Sequence, residues 1–301
     1  EVVHVALEHA RWNLQLGTPA EFVLLNPLSP GGTLEEGIDF QRVDPTTAGG
    51  RSGGEAQLAA LTKMLRGTAP RGATPLVDRL QKIRNRILPE GREIARRGQK
   101  VILVIATDGL PTPLRGGGPS RIEMNFLGEE LRRNSAELPI HQVVRLCTNE
   151  STIVDFYTSL DEEMEVELEV IDDMQGEAKE IRNTGNRWLV YSPQIHKLRE
   201  GGTFLKVLDL LDERKLEPME VCLVCQLLLR PSLDDPPLPT EPAAFCRAAR
   251  EVLPRLPKVF CPLRLELLPP VDLIELEWSL LPQSKLHRAC GDCEVHYCRQ
   301  Q

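Results

Sequence analysis

Aromatic side chains are scarce, with Trp, Tyr and Phe together making up 4% of the 301 residues. A core must then be assembled mainly from Leu, Val and Ile. No apolar run approaches the ~20 residues that span a bilayer, so no membrane partner is expected of these residues. Basic residues are in deficit, 36 Lys+Arg against 44 Asp+Glu. That excess of acid argues against a nucleic-acid partner, because phosphate neutralisation needs clustered cations. The opening Glu1-Val2-Val3-His4 lacks the basic start and apolar stretch of a secretory signal, and lacks an initiator Met, which reads as a fragment. Phosphate loops, H-E-x-x-H and nucleophile–base pairs are missing, and His4, His9, His141 and His196 have no local carboxylate partners. An enzyme is not expected.

What is present is alternating helical and strand periodicity. Residues 3–16 carry a helical apolar stripe that Gly17-Thr18-Pro19 stops. Phe22–Leu25 reads as a buried strand, and Ile38–Val43 as a short strand inside a Gly/Pro/Ser-rich connection. Gln57–Leu65 is helical. A further helix opens at Thr74-Pro75, with Thr74 as N-cap and proline at its first position. Six consecutive apolar residues, Val101–Ala106, predict a central parallel strand buried on both faces, ending in Thr107-Asp108-Gly109. Helix 120–135, strand Ile140–Leu146, helix Ser151–Leu160, an alternating acidic strand over 163–171 and a helix near 176–182 follow. This order predicts an α/β fold, a doubly wound and mostly parallel sheet. Ligands of such sheets lie beyond the carboxyl ends of the strands, where Asp108 falls. After Gly201-Gly202 helices are expected near 204–211, 220–229 and 243–253, giving a small, mainly helical module over 201–260 and a Pro/Cys-containing tail over 261–301.

Gly72-Ala73-Thr74-Pro75-Leu76, opening a helix, and Val101–Gly109, ending in Thr-Asp-Gly, lie on the elements that carry two loops of the von Willebrand factor A family. Over roughly residues 1–200 the chain resembles that family. The resemblance implies a Rossmann-like fold with a metal-ion-dependent adhesion site: Thr74 as a direct ligand of Mg²⁺, Asp108 as a direct or water-mediated one, and an acidic side chain of a protein partner at an open position. It also implies a first strand ending in Asp-x-Ser-x-Ser. That motif occurs nowhere in the 301 residues, so a strand and three metal ligands are expected to be lacking. Gly31-Gly32-Thr33-x-Glu35 is a rival for the Thr loop. Mg²⁺ seeks about six oxygens, which a hydroxyl and a carboxylate supply only in part. Three functions follow: a metal-assisted protein–protein interaction module, a structural scaffold with a degenerate site, or an accessory domain of a Mg²⁺-dependent ATPase assembly.

Two other patterns compete. Asp209 to Glu220 has the length of a calcium loop, but Leu211 and Arg214 occupy positions needing an oxygen ligand and a glycine, so a helix pair is expected. Cys290, Cys293 and Cys298 with His287 and His296 offer zinc ligands at a non-standard spacing. Seven of the eight cysteines follow residue 220; Cys222 and Cys225 sit in an apolar helical run and read as core. Reduced thiols of a cytoplasmic protein are the expectation.

Overall fold

The computed structural model describes residues 2–26, 35–47, 50–69, 72–114, 116–163, 168–203, 205–230, 232 and 234–281. The zinc-ligand pattern and Gly31-Gly32-Thr33 lie outside the described residues. The fold is mixed α/β, and the chain divides into two compact units, Glu1–Asp173 and Met174–Gln301.

In the first unit, α1 (Val2–Leu16) leads to β1 (Ala20–Val23), which pairs antiparallel with β2 (Phe40–Val43). Helix α2 (Gly50–Gly67) follows. Leu7 and Ala10 of α1, Val43 of β2 and Leu61, Met64 and Leu65 of α2 form one apolar cluster. The strand expected at Phe22–Leu25 begins earlier and is only half-buried, as one arm of a two-stranded ribbon.

Helix α3 (Leu76–Arg96) precedes β3 (Val101–Thr107), α4 (Arg121–Glu137), β4 (Ile140–Leu146), α5 (Ser151–Glu163) and β5 (Leu168–Ile171). The three strands form a parallel sheet in the order β3-β4-β5, with Ile105 opposite Val144 and Val144 opposite Val170. Leu76 and Leu80 of α3, Leu127 and Leu131 of α4, and Ile153, Tyr157 and Leu160 of α5 pack against Ile105, Val144 and Leu146. Val143 and Arg145, pointing to the other face of β4, are also buried, so β4 is covered on both sides. Buried Gln142 is held by donating to the Leu131 carbonyl at 3.0 Å and Ser135 Oγ at 2.9 Å. Arg84 joins α3 to α4 through Glu130 (2.9 Å) and Glu137 (2.8 Å).

The expectation that Val101–Ala106 is central requires correction. Among the described residues β3 pairs only with β4, and Val101–Val104 and Ala106 are partly exposed. An apolar run reports that both faces of a strand meet apolar neighbours; it carries no information about its two hydrogen-bonding edges. The acidic strand expected over 163–171 is β5 in its last four residues, and residues 164–167 lie outside the described ones.

The second unit comprises α6 (Met174–Asn183), α7 (Pro193–Glu200), α8 (Lys206–Glu213), α9 (Pro218–Leu229), α10 (Pro242–Val252), the hairpin β6 (Val259–Cys261) and β7 (Glu266–Leu268), and α11 (Leu273–Leu280). Its core gathers Ile181, Trp188, Tyr191, Ile195, Leu211, Val221, Phe245 and Leu276. Residues 174–200, read from the sequence as the end of the first domain, thus pack in the second, as does α11 of the expected tail. The Asp209–Glu220 stretch is the expected helix pair, α8 and α9. Asn186 ties it to the rest: its amide donates to the carbonyls of Leu211 and Arg214, each at 2.8 Å, and its oxygen accepts from Leu216 N at 2.9 Å. Cys147, Cys222, Cys225, Cys246 and Cys261 are free thiols, the last four buried. Among the described residues no helix is long and apolar enough to cross a membrane.

Candidate functional site at the carboxyl end of β3

Strand β3 delivers the Thr107-Asp108-Gly109 turn. The buried Thr107 hydroxyl donates to Gly109 O at 3.2 Å and accepts from Gly109 N at 3.3 Å. Tyr157, fully buried on α5, donates its hydroxyl to the same carbonyl at 3.1 Å. Burial holds that phenol well above its ordinary pKa, so it remains a donor at any physiological pH. Cys147 N, just past β4, donates to Thr107 O at 2.8 Å and extends the ladder to the turn. The turn is fixed from three sides, while the Asp108 side chain is exposed.

The loop entering α3 is tied to this turn. Thr74 N donates to Thr112 Oγ1 at 2.6 Å, and Thr112 N returns a bond to Thr74 O at 3.0 Å. Asn26, after β1, donates to Ala73 O at 2.5 Å. Gly72 takes φ +83°, a backbone conformation that glycine accepts without strain, and a Cβ there would press on Asn26 at 3.4 Å. Thr74 Oγ1 lies 3.2 Å from where a Cβ on Gly109 would stand. The hydroxyl of Thr74 therefore sits against the residue that follows Asp108, and the two loops of the sequence pattern meet at one end of β3.

One local expectation is corrected. Thr74 is not the N-cap of α3: Pro75 holds the cap position and no side chain caps the helix. The carbonyl of Thr74 instead accepts from Leu76 N at 2.8 Å. Proline at the cap position leaves the Thr74 hydroxyl directed away from the α3 amides and towards the turn.

The charges of α3, Arg79, Lys82, Arg84 and Arg86, read from the sequence as a solvated face; this is corrected for Arg79, one turn into the helix and 4% exposed. Its Nη2 donates to Leu25 O at 2.5 Å, whereas Nε and Nη1 are buried without a partner among the described residues. Burial lowers its pKa, and Asp39 and Asp78 act in the opposite direction. The guanidinium thus reaches the carbonyl that follows β1, and the charges that act on it are those of Asp39 and Asp78. Its apolar neighbours at Leu76 and Leu80 were the only signal, and an arginine between them reads as a solvated residue until the fold is known.

A second polar cluster lies in the second unit. Carboxylate oxygens of Glu177, Glu180 and Asp212 come within 4.8 Å of one another. Arg199, 2% exposed, donates to Glu177 and, at 2.5 Å, to Asp212. Buried Glu177 and partly buried Asp212 are thus paired with a buried guanidinium, which occupies oxygens that a metal would need, while Glu180 is exposed. Nearby, Tyr191 Oη lies 2.9 Å from His196 Nδ1, and His196 Nε2 lies 3.1 Å from Glu200 Oε1. This corrects the expectation that His196 lacks a local carboxylate, since Glu200 stands four residues on along the same helix. The Arg199 pairings join α6, α7 and α8, elements whose association the sequence pattern does not encode.

Thr74 and Asp108 bring a hydroxyl and a carboxylate, two oxygen-bearing side chains, to the loops at this end of β3. Comparison of the chain with models of protein families, with curated proteins and with solved structures gives no match.

Proposed function

We propose that the chain is a protein–protein interaction module with a doubly wound fold of the von Willebrand factor A type. In this reading Thr74 and Asp108 contribute to a Mg²⁺ site that an acidic side chain of the partner completes. The observation that carries it is the placement of the Thr74 hydroxyl against Gly109 beside an exposed Asp108. A carboxylate of the partner would add the oxygen ligands and negative charge that two side chains lack. A second reading is a scaffold whose metal site is degenerate, favoured because Thr74 and Asp108 supply only two of the about six oxygens that Mg²⁺ seeks.

Paramagnetic Mn²⁺ separates the two. Added to the full chain, it is expected to broaden the amide signals of Thr74 and Gly109 selectively. Asp108→Ala removes the carboxylate and Thr74→Ala the hydroxyl, and each abolishes the broadening. Thr74→Ser, which keeps the hydroxyl, retains it. Equal broadening in the chain and in Asp108→Ala would leave the scaffold standing.

A further inference from the structure

Away from β3, the second unit contains a cleft of about 500 Å³. Its floor forms where Trp188–Val190 runs against Pro270–Asp272. Asp272 N donates to Trp188 O at 2.8 Å, Val190 N donates to Pro270 O at 3.2 Å, and Leu189 and Val271 form an antiparallel bridge between them. These ties hold Leu189 and Val271, both buried, in the floor, with Leu263 beside them.

Three lining residues are exposed arginines: Arg182, Arg187 and Arg264. Arg182 and Arg187 form no ion pair among the described residues. Arg264 has only a 3.9 Å contact with Glu266, both side chains being more than half exposed, and such pairs contribute little. The lining acid, Asp272, caps α11 through Oδ1, accepting from Ile274 N at 3.0 Å and Glu275 N at 3.2 Å, and sets one negative charge against the three positive ones. In a chain of net charge −8 this is a local reversal of sign over an apolar floor. Guanidinium groups present paired N–H donors that match a carboxylate, and the cleft has the size of small-ligand sites, roughly 300–1,000 Å³.

We infer that this cleft binds a small apolar carboxylic acid, its hydrocarbon body against Leu189, Leu263 and Val271 and its carboxylate at the arginines. A neutral hydrocarbon would leave the three cations unused, and an inorganic anion would leave the floor unused. Octanoate is the probe, titrated calorimetrically into the full chain, with octanol as its uncharged counterpart. The expected result is saturable one-to-one binding of octanoate, at least tenfold tighter than octanol. In R182Q/R187Q, octanoate weakens at least tenfold while octanol is unchanged. R247Q, which makes a single charge change on exposed α10 surface, binds as the unaltered chain does. Matched thermal melts establish that each variant is folded. Absence of saturable binding, octanol binding as tightly as octanoate, or unchanged affinity in R182Q/R187Q overturns the assignment.

Discussion

Replacing Asn186 by alanine tests how the second unit is held together. The side chain is 1% exposed and serves two carbonyls and one amide across the α8–α9 connection. After truncation the Leu211 carbonyl keeps the Thr184 hydroxyl, which donates to it at 2.7 Å. Arg214 O and Leu216 N lose their Asn186 partner, and a buried polar group left without a bond costs about 1–3 kcal/mol. At about 1.5 kcal/mol each, in the lower half of that range because the Arg214 carbonyl is only part-buried, two such groups give a loss of about 3 kcal/mol. With a urea slope of about 2 kcal/mol per molar, the unfolding midpoint of the second unit falls by about 1.5 M. Hydrogen exchange at the Leu216 amide supplies the local readout: 3 kcal/mol corresponds to roughly a hundredfold loss of protection. A change below about 1 kcal/mol with Leu216 exchange unaltered would refute the reasoning, because it would mean that the three bonds are replaced by water without penalty.

Burial raises the Asp209 carboxyl to about 6 from 3.8, so the folded state binds more protons than the unfolded one between those values and stability declines as pH rises through that window. Asp209→Asn is expected to flatten that decline, and urea titrations at pH 4.5 and 7 measure it. Tyr157→Phe removes the bond to Gly109 O and should cost about 1 kcal/mol by denaturation, with amide shifts at Asp108 and Gly109. Cys222, Cys225 and Cys246 are buried, and burial raises each thiol, Cys246 to about 11. Peptide mapping after alkylation at pH 8 should find these three modified only once the chain is unfolded. The outer edge of β3 has no partner strand among the described residues, so sedimentation should show concentration-dependent association that Val104→Lys suppresses.

The legible parts of the fold were those with a strong local period. Helices α1, α4 and α5 and strand β4 follow from apolar spacing, because each presents one continuous face or a short buried run. Strand β3 was legible as a strand but not as an edge, since pairing depends on residues far away in sequence. The meeting of Thr74 with the Asp108-Gly109 turn was legible because helix starts and strand ends converge at one side of a parallel sheet. Pro75 was placed one position too deep: proline suits the cap as well as the first helical turn, and only the backbone decides between them. Arg79, Arg199 and Glu177 were not legible. Charged residues in amphipathic helices ordinarily face solvent, and their burial here depends on partners 13 to 54 positions away.

The Arg199 node has a consequence for how the second unit opens. Glu177 stands on α6, Arg199 on α7 and Asp212 on α8, so moving any one helix away strands a charge in a low-dielectric interior. Fraying one helix at a time is therefore suppressed, and the lowest opening is one in which all three release together and every charge reaches water at once. The three helices then form a single cooperative block, whose amides exchange with a shared free energy set by one buried guanidinium.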